Sequence, residues 1–239
     1  MNIAIDAGNS RIKYGVFDVD YLKEVIVHND LELEDLKQIH EKYGFDRGII
    51  TGSRNIGQDM LMILKDQYNI RYLTENTLLP AKNLYRTPDT LGKDRLAGAI
   101  AAHYCFPFAH VMVVDLGTAT TYNIINNKSE FLGGNISPGL AMRLELMHAR
   151  TDKLPLAGFK GEISLYGMDT ESALRNGALL GVVAEIEYYK REFCAIFNPN
   201  KIILTGGNAL FISHYLKDSF VIKPDLVLEG LNKILLHNA

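Results

Sequence analysis

Two short segments of the sequence set an aspartate at the end of an apolar run, follow it with a glycine turn, and then resume with residues typical of a strand. They are Ile5-Asp6-Ala7-Gly8-Asn9-Ser10 and Val114-Asp115-Leu116-Gly117-Thr118-Ala119. This combination suits nucleotide chemistry: glycine lets backbone N–H groups approach phosphate oxygens, hydroxyl and amide side chains add donors, and a carboxylate holds a hydrated cation. Lys13, on the strand after the first turn, can offset phosphate charge. One such segment alone reads equally well as a hairpin turn. A second copy, with a third glycine turn at Thr205-Gly206-Gly207-Asn208-Ala209, shifts the reading toward a nucleotide site. The glycines of that third turn would let a flat base approach the backbone, and they would also serve a tight strand-to-helix connection. Neither GxxxxGK[ST] nor GxGxxG occurs, so the common P-loop and dinucleotide fingerprints are unsupported.

Asp94-Arg95 is the other pair with chemical potential. A primary hydroxyl is a poor nucleophile, and a carboxylate set against it can orient it and accept its proton as a phosphoryl group arrives in line. Arg95 could hold a substrate carboxylate; the pair would equally form an exposed ion pair at a helix start. His103 and His110 lie in apolar sequence with no partner at ligand spacing, and they read as core or interface residues.

These groups need elements to position them. Asn2 to Asp6, the alternation Ile12-Tyr14-Val16 and the pair Val25-Val27 predict an antiparallel meander. Leu31 to Tyr43 has a helical period that Gly44 would end, Gly48 to Thr51 reads as a buried strand, Asn55 to Tyr68 as a helix and Ile70 to Leu73 as a strand. The alternation implies β-α-β units. Thr74 to Leu91, with Pro80 and Pro88, predicts a long loop leading to a helix near Gly92. His110 to Val114 and Thr120 to Ile125 flank the second turn as strands, Asp169 to Phe197 is the longest helical candidate, and Lys201 to Leu204 forms a strand before the third turn.

The balance of residues narrows the class. With 47% hydrophobic residues the chain can bury a sizeable core, and a net charge of −3 offers no broad cationic surface for a nucleic acid or an anionic membrane. Cys105 and Cys194, without CxxC spacing, give neither a zinc framework nor a disulfide scaffold. The apolar start is too short for a signal peptide, and Ala97 to Val114 contains two histidines and Pro107, so a cytoplasmic protein is expected.

The order of motifs resembles the actin, hexokinase and sugar-kinase superfamily and, more closely, type III pantothenate kinase. The resemblance rests on DAGNSRIK from Asp6 to Lys13, TPDTLGKDRLAGAIAA from Thr87 to Ala102, VVDLGTATT from Val113 to Thr121, GGNISPGL from Gly133 to Leu140 and TGGNA from Thr205 to Ala209. It implies that Asp6, Gly8, Asn9, Ser10 and Lys13 hold ATP phosphates, with magnesium reached from Asp6 through water. Thr118, Gly206 and Gly207 would add contacts to ATP, and Asp115 would bind a monovalent cation, potassium or ammonium. Asp94 would be the general base, with Tyr85, Gly92, Lys93 and Arg95 lining a pantothenate pocket that Thr170 reaches across a homodimer interface. Around Thr170 the chain departs from the family pattern, with Asp169 in place of asparagine and Ala173-Leu-Arg-Asn-Gly177 in place of Ala-Ile-Gln-Ser-Gly.

The expected fold is therefore α/β, with two ribonuclease-H-like (actin-like ATPase) domains of mixed sheets flanked by helices and a cleft between them. Residues 1–104 would form the N-terminal domain and 105–239 the C-terminal one. The expected reaction is phosphorylation of pantothenate to 4'-phosphopantothenate in coenzyme A synthesis. The long helix from Asp169 would offer Leu174, Ala178, Val182 and Ile186 to a second copy. Rival readings are a catalytically silent relative acting as an accessory transcription factor and a sugar kinase of the same superfamily.

Overall fold

A computed structural model describes residues 1–217 and 220–239. The chain opens with β1 (Asn2–Ala7), β2 (Ile12–Asp18) and β3 (Tyr21–His28), whose alternating apolar residues form the expected antiparallel meander. Helix α1 (Leu33–Tyr43) buries Leu36 and Ile39 and stops at Gly44, which takes the left-handed conformation at φ 59° and donates its N–H to the His40 carbonyl. β4 (Arg47–Gly52), α2 (Gln58–Tyr68) and β5 (Ile70–Tyr72) complete a five-stranded mixed sheet of order β3-β2-β1-β4-β5. Both β1/β4 and β4/β5 are parallel. Ile3, Ile5, Tyr14, Val16, Ile50 and Leu64 are almost completely buried at its centre, each burial of that size contributing roughly 1.5–3 kcal/mol.

The predicted loop from Thr74 to Leu91 is not featureless. It holds a two-residue strand, β6 (Lys82–Asn83), and a 3₁₀ turn at Pro88–Thr90 before α3 (Lys93–Cys105). Further on come β7 (His110–Leu116), β8 (Ala119–Ile125), β9 (Glu130–Pro138), α4 (Leu140–Ala149), α5 (Thr170–Ile196), β10 (Asn200–Thr205), α6 (Ala209–Ser213), β11 (Val221–Ile222) and α7 (Leu226–His237). A second mixed sheet follows the order β11-β10-β7-β8-β9, and the first residues of β9 also pair in parallel with β6.

The chain separates into two compact units. The first comprises Met1–Val111, Ile124–Gly133 and Asp225–Ala239, and the second Met112–Asn123 and Gly134–Pro224. The sequence draws one boundary, at 104/105; in the structure the first unit is discontinuous because both Ile124–Gly133 and α7 return to it. Within that unit Asn232 of α7, 1% exposed, donates to the Val19 carbonyl at 2.9 Å and accepts from Asn2 at 3.1 Å. Two buried amides thus satisfy one another and lock the last helix to the first strand.

Helix α7 also meets α3 at close range. A Cβ added at Gly230 would lie 1.9 Å from the Ala97 carbonyl oxygen, so the helices approach as they do only because residue 230 has no side chain. Gly230→Ala is expected to force them apart at a cost of about 2 kcal/mol or more. In a chain of this size that lowers Tm by roughly 5 °C. A thermal melt of the variant that overlays the native one would contradict this packing.

In the second unit α5 starts with a reciprocal cap: Asp169 accepts from the Ser172 N–H at 2.8 Å while Ser172 Oγ accepts from the Asp169 N–H at 3.1 Å. The hydrogen bonds from Ser172, with its backbone N–H first, hold the Asp169 carboxyl below its usual range. The face of α5 expected to await a second copy is already closed: Leu174, Ala178, Val182 and Ile186 are 8%, 4%, 0% and 0% exposed within the single chain. That face is core, and it cannot serve as the reason for a dimer.

Candidate active site

In the first unit, β1 delivers Asp6 to the edge of a turn, and the antiparallel register sets it directly opposite Lys13. The Lys13 ammonium lies 3.2 Å from the Asp225 carboxylate at the start of α7. Asp225 escaped the sequence reading, and through it the start of α7 reaches the strand that follows the first glycine turn, while Leu228 packs near Gly15 of the same strand. The parallel register of β1 and β4 continues to Ala7 opposite Gly52, with the Ser53 N–H bonded to the Ala7 carbonyl at 3.1 Å. This carries Arg54 alongside the turn at Gly8 and Asn9.

The same unit gathers the predicted substrate residues. Gly92 caps α3, Lys93 and Asp94 form its first turn, and Arg95 begins the buried run that anchors the helix. An acidic side chain there is favoured by the unsatisfied N–H groups of the helix start. Asp94 Oδ1 accepts from the Arg95 N–H at 2.8 Å, and among the described residues it has no other hydrogen-bond partner. Gly92 is required for this placement, because a Cβ at that position would stand 2.5 Å from Asp94 Oδ1.

Arg95 is 8% exposed, and its guanidinium lies over the Tyr85 ring, 5.7 Å from the centroid. Tyr85 in turn is set by β6: the Leu84 N–H bonds to the Phe131 carbonyl at 3.0 Å and the Tyr85 N–H to Asn83 Oδ1 at 3.0 Å. Its ring packs against the face of Gly133, at φ +130°, and lies 6.3 Å from that of Phe131. Lys93 donates to the Pro88 carbonyl at 3.0 Å and so ties the 3₁₀ turn to the helix.

In the second unit three glycine-bearing segments meet. Gly206 has φ +89°, a conformation costly for any residue with a side chain, and a Cβ there would lie 2.4 Å from Asp115 Oδ1 and 2.8 Å from the Leu116 backbone. The Asn208 N–H bonds to the Leu116 carbonyl at 3.1 Å, fastening the third turn to the second. Gly139, at the end of the GGNISPGL segment, presses on the same turn: a Cβ would lie 2.2 Å from the Thr118 carbonyl oxygen. Asp115, Gly117, Thr118, Gly139 and Gly206 are therefore one cluster.

Behind the cluster sits a charged network that sequence alone did not reveal. Arg143 and Glu185 form an ion pair at 2.6 Å, and Ser137 Oγ donates to Glu185 at 2.9 Å while accepting from Arg143 at 2.9 Å. Arg143 also donates to the Pro138 carbonyl at 3.0 Å, next to Gly139. Tyr122 donates to Glu185 at 3.4 Å, and burial followed by the Glu185 charge pushes its phenol well above the usual range. Thr170, by contrast, is exposed at the start of α5 and belongs to the second unit, whereas the other predicted substrate residues belong to the first.

The family described as type III pantothenate kinase matches residues 2–192. The chain belongs to the type III pantothenate kinase family. It is 38% identical over 239 residues to a type III pantothenate kinase of Phocaeicola vulgatus, covering 100% of this chain and 99% of that one. It is 36% identical to another of Cytophaga hutchinsonii, with 100% of both covered. Among solved structures, a Baf family transcriptional activator from Campylobacter jejuni aligns with TM-score 0.64 at 24% identity over 99% of this chain and 98% of that one. A 2-dehydro-3-deoxygalactonokinase protein from Sinorhizobium meliloti aligns with TM-score 0.57 at 14% identity over 100% and 99%. These likenesses are of fold alone, and they establish the actin/hexokinase-like architecture of mixed sheets flanked by helices.

As a type III pantothenate kinase, the chain must carry groups that fit ATP and a divalent ion. Among the described residues no group of three or more His, Cys, Asp or Glu side chains is disposed to hold a metal. Magnesium keeps most of its waters and is held by one or two carboxylates together with substrate phosphates. Asp6, half-buried beside Lys13, suits such a role. Asp115 lies against Gly206, whose missing side chain lets the third turn close on its carboxylate. No helix among the described residues is long and apolar enough to cross a membrane.

Proposed function

We propose that this chain transfers the γ-phosphoryl group of ATP to the primary hydroxyl of pantothenate, giving 4'-phosphopantothenate for coenzyme A synthesis. The observation that carries the reading is the first-unit cluster of Asp94, Arg95 and Tyr85, in a chain related over its full length to type III pantothenate kinases. Asp94 accepts the hydroxyl proton, and its attachment to the helix start holds it in one place while it does so. Arg95 binds the pantothenate carboxylate; its guanidinium is a planar fork suited to that group. Tyr85, Gly92, Lys93 and Thr170 complete the substrate contacts.

Asp6, Gly8, Asn9, Ser10 and Lys13 hold ATP phosphates, Thr118 of the second turn adds a contact to ATP, and Gly206 and Gly207 of the third turn receive its adenosine. A divalent ion bound with ATP, reached from Asp6 through water, offsets charge on the phosphoryl group. Asp115 binds potassium or ammonium. The protein acts in the cytoplasm as a homodimer. The buried α5 face lends no support to that state, but Leu165, Tyr166 and Met168, 89%, 69% and 86% exposed just before Thr170, do. The transcription-factor reading is not favoured, because the full-length relatives are named as kinases and Asp6, Lys13, Asp94 and Asp115 are all present.

A coupled assay of ADP release tests the proposal. Release is expected to require pantothenate and to rise with potassium or ammonium, and sugars are expected not to replace pantothenate. Equal release without an acceptor, or full activity with a hexose, would remove the assignment.

A further inference from the structure

Arg54 lies in the connection from β4 to α2 and uses its guanidinium on the backbone of the first glycine turn. Nε donates to the Gly8 carbonyl at 2.8 Å and Nη2 to the Asn9 carbonyl at 3.0 Å. Nη2 also reaches the Asn29 carbonyl at 3.3 Å, and Nη1 pairs with Asp30 at 3.2 Å. Asp30 is 74% exposed, so the ion pair itself contributes little. The bonds to the turn are of another kind, being charge-assisted and aimed at two successive peptide groups.

The planarity of the peptide bond gives those two contacts a consequence. The one cis bond among the described residues is Asn198–Pro199, so the peptides joining Gly8 to Asn9 and Asn9 to Ser10 are trans. In a trans peptide the C=O and the following N–H point in opposite directions. Fixing the carbonyls of Gly8 and Asn9 toward Arg54 therefore fixes the N–H groups of Asn9 and Ser10 away from it. A glycine turn is otherwise free to flip its peptides, and a flipped peptide would present a carbonyl oxygen where a phosphate needs a donor.

We infer that Arg54 is a positioning residue for ATP binding, holding the Gly8–Ser10 peptides in the orientation that donates to phosphate. The inference rests on the reading of that turn as a phosphate site. Arg54 touches no substrate and acts through the backbone it clamps. Lysine at this position, with a single point of attachment, replaces only one of the two clamping bonds.

Titration of Mg·ATP into wild-type, R54A and R54K protein, alongside steady-state kinetics and thermal melts, tests it. R54A is expected to bind ATP about tenfold more weakly, equivalent to about 1.4 kcal/mol, and to raise KM for ATP correspondingly while leaving KM for pantothenate unchanged. R54K is expected to fall between R54A and wild type. Wild-type ATP affinity in R54A overturns the inference, as does a parallel rise in both KM values that follows a lowered Tm in R54A and R54K alike. Failure of the wild-type protein to bind ATP removes the phosphate-turn reading itself, whereas wild-type binding with an indifferent R54A removes only the role of Arg54.

Discussion

Asp94→Asn is expected to lower kcat for pantothenate phosphorylation by about 10²–10⁴-fold, the range that a positioned proton acceptor contributes, while ATP affinity stays that of the native protein. The substitution isolates the chemistry because it changes almost nothing else. An asparagine oxygen can still accept the Arg95 N–H bond that Asp94 makes at 2.8 Å, and the amide fills the same space beside Gly92. What disappears is the capacity to take a proton from the substrate hydroxyl. Stopped-time assays with saturating ATP and pantothenate, paired with ATP titration, separate the two quantities. A variant retaining more than a tenth of native kcat would show that Asp94 orients substrate at most.

Gly206→Ala should be nearly as damaging, although residue 206 has no side chain to lose. At φ +89° the new Cβ carries backbone strain, and it would stand 2.4 Å from Asp115 Oδ1 and 2.8 Å from the backbone of Leu116. The turn or the carboxylate must move by about an ångström, and a displacement of that size in a kinase, where positioning supplies most of the catalysis, costs on the order of a hundredfold in kcat/KM. Because the cluster also contains the proposed monovalent-cation ligand, the loss should come with a higher potassium requirement. Initial rates across a potassium series measure both effects, with circular dichroism to verify the fold. Native kcat/KM and an unchanged potassium curve would mean that the close approach of Gly206 to Asp115 has no role in the reaction.

Much of this architecture was legible locally. The alternation in Ile12-Tyr14-Val16 is the pattern of a strand with one covered face, and β2 forms there. Gly44 marks the end of α1 because a left-handed residue is needed to close the last turn. The aspartate-glycine turns announced both β-hairpins and the residues at their tips. Two of the candidate residues lie beside a glycine whose missing side chain leaves room for them, Asp94 beside Gly92 and Asp115 beside Gly206.

What escaped was long-range. Arg54 reaches a turn some 45 residues away in sequence, and Lys13 meets Asp225 across 212; no periodicity encodes either contact. Tyr85 is placed by a strand of two residues, shorter than any alternation can reveal. Helix α7 is a different case. Leu226, Val227, Leu228, Leu231, Ile234 and Leu235 are buried while Glu229, Lys233 and His237 form a polar row four residues apart, so the helix has a legible stripe. What the stripe does not say is that this helix packs back on the first strands. Its start signal was also present, in Pro224-Asp225 ahead of the apolar run. The α5 face misled in the opposite sense: its apolar spacing was read correctly, but spacing says that a face is covered and not by which chain.

The reaction itself can be followed atom by atom. Purified protein incubated with ATP labelled in the γ-phosphoryl group, magnesium, potassium and pantothenate should transfer the label to the terminal hydroxyl oxygen of pantothenate in proportion to the ADP formed. Label appearing only in inorganic phosphate, at the same rate with and without pantothenate, would contradict the claim that this chain is a pantothenate kinase.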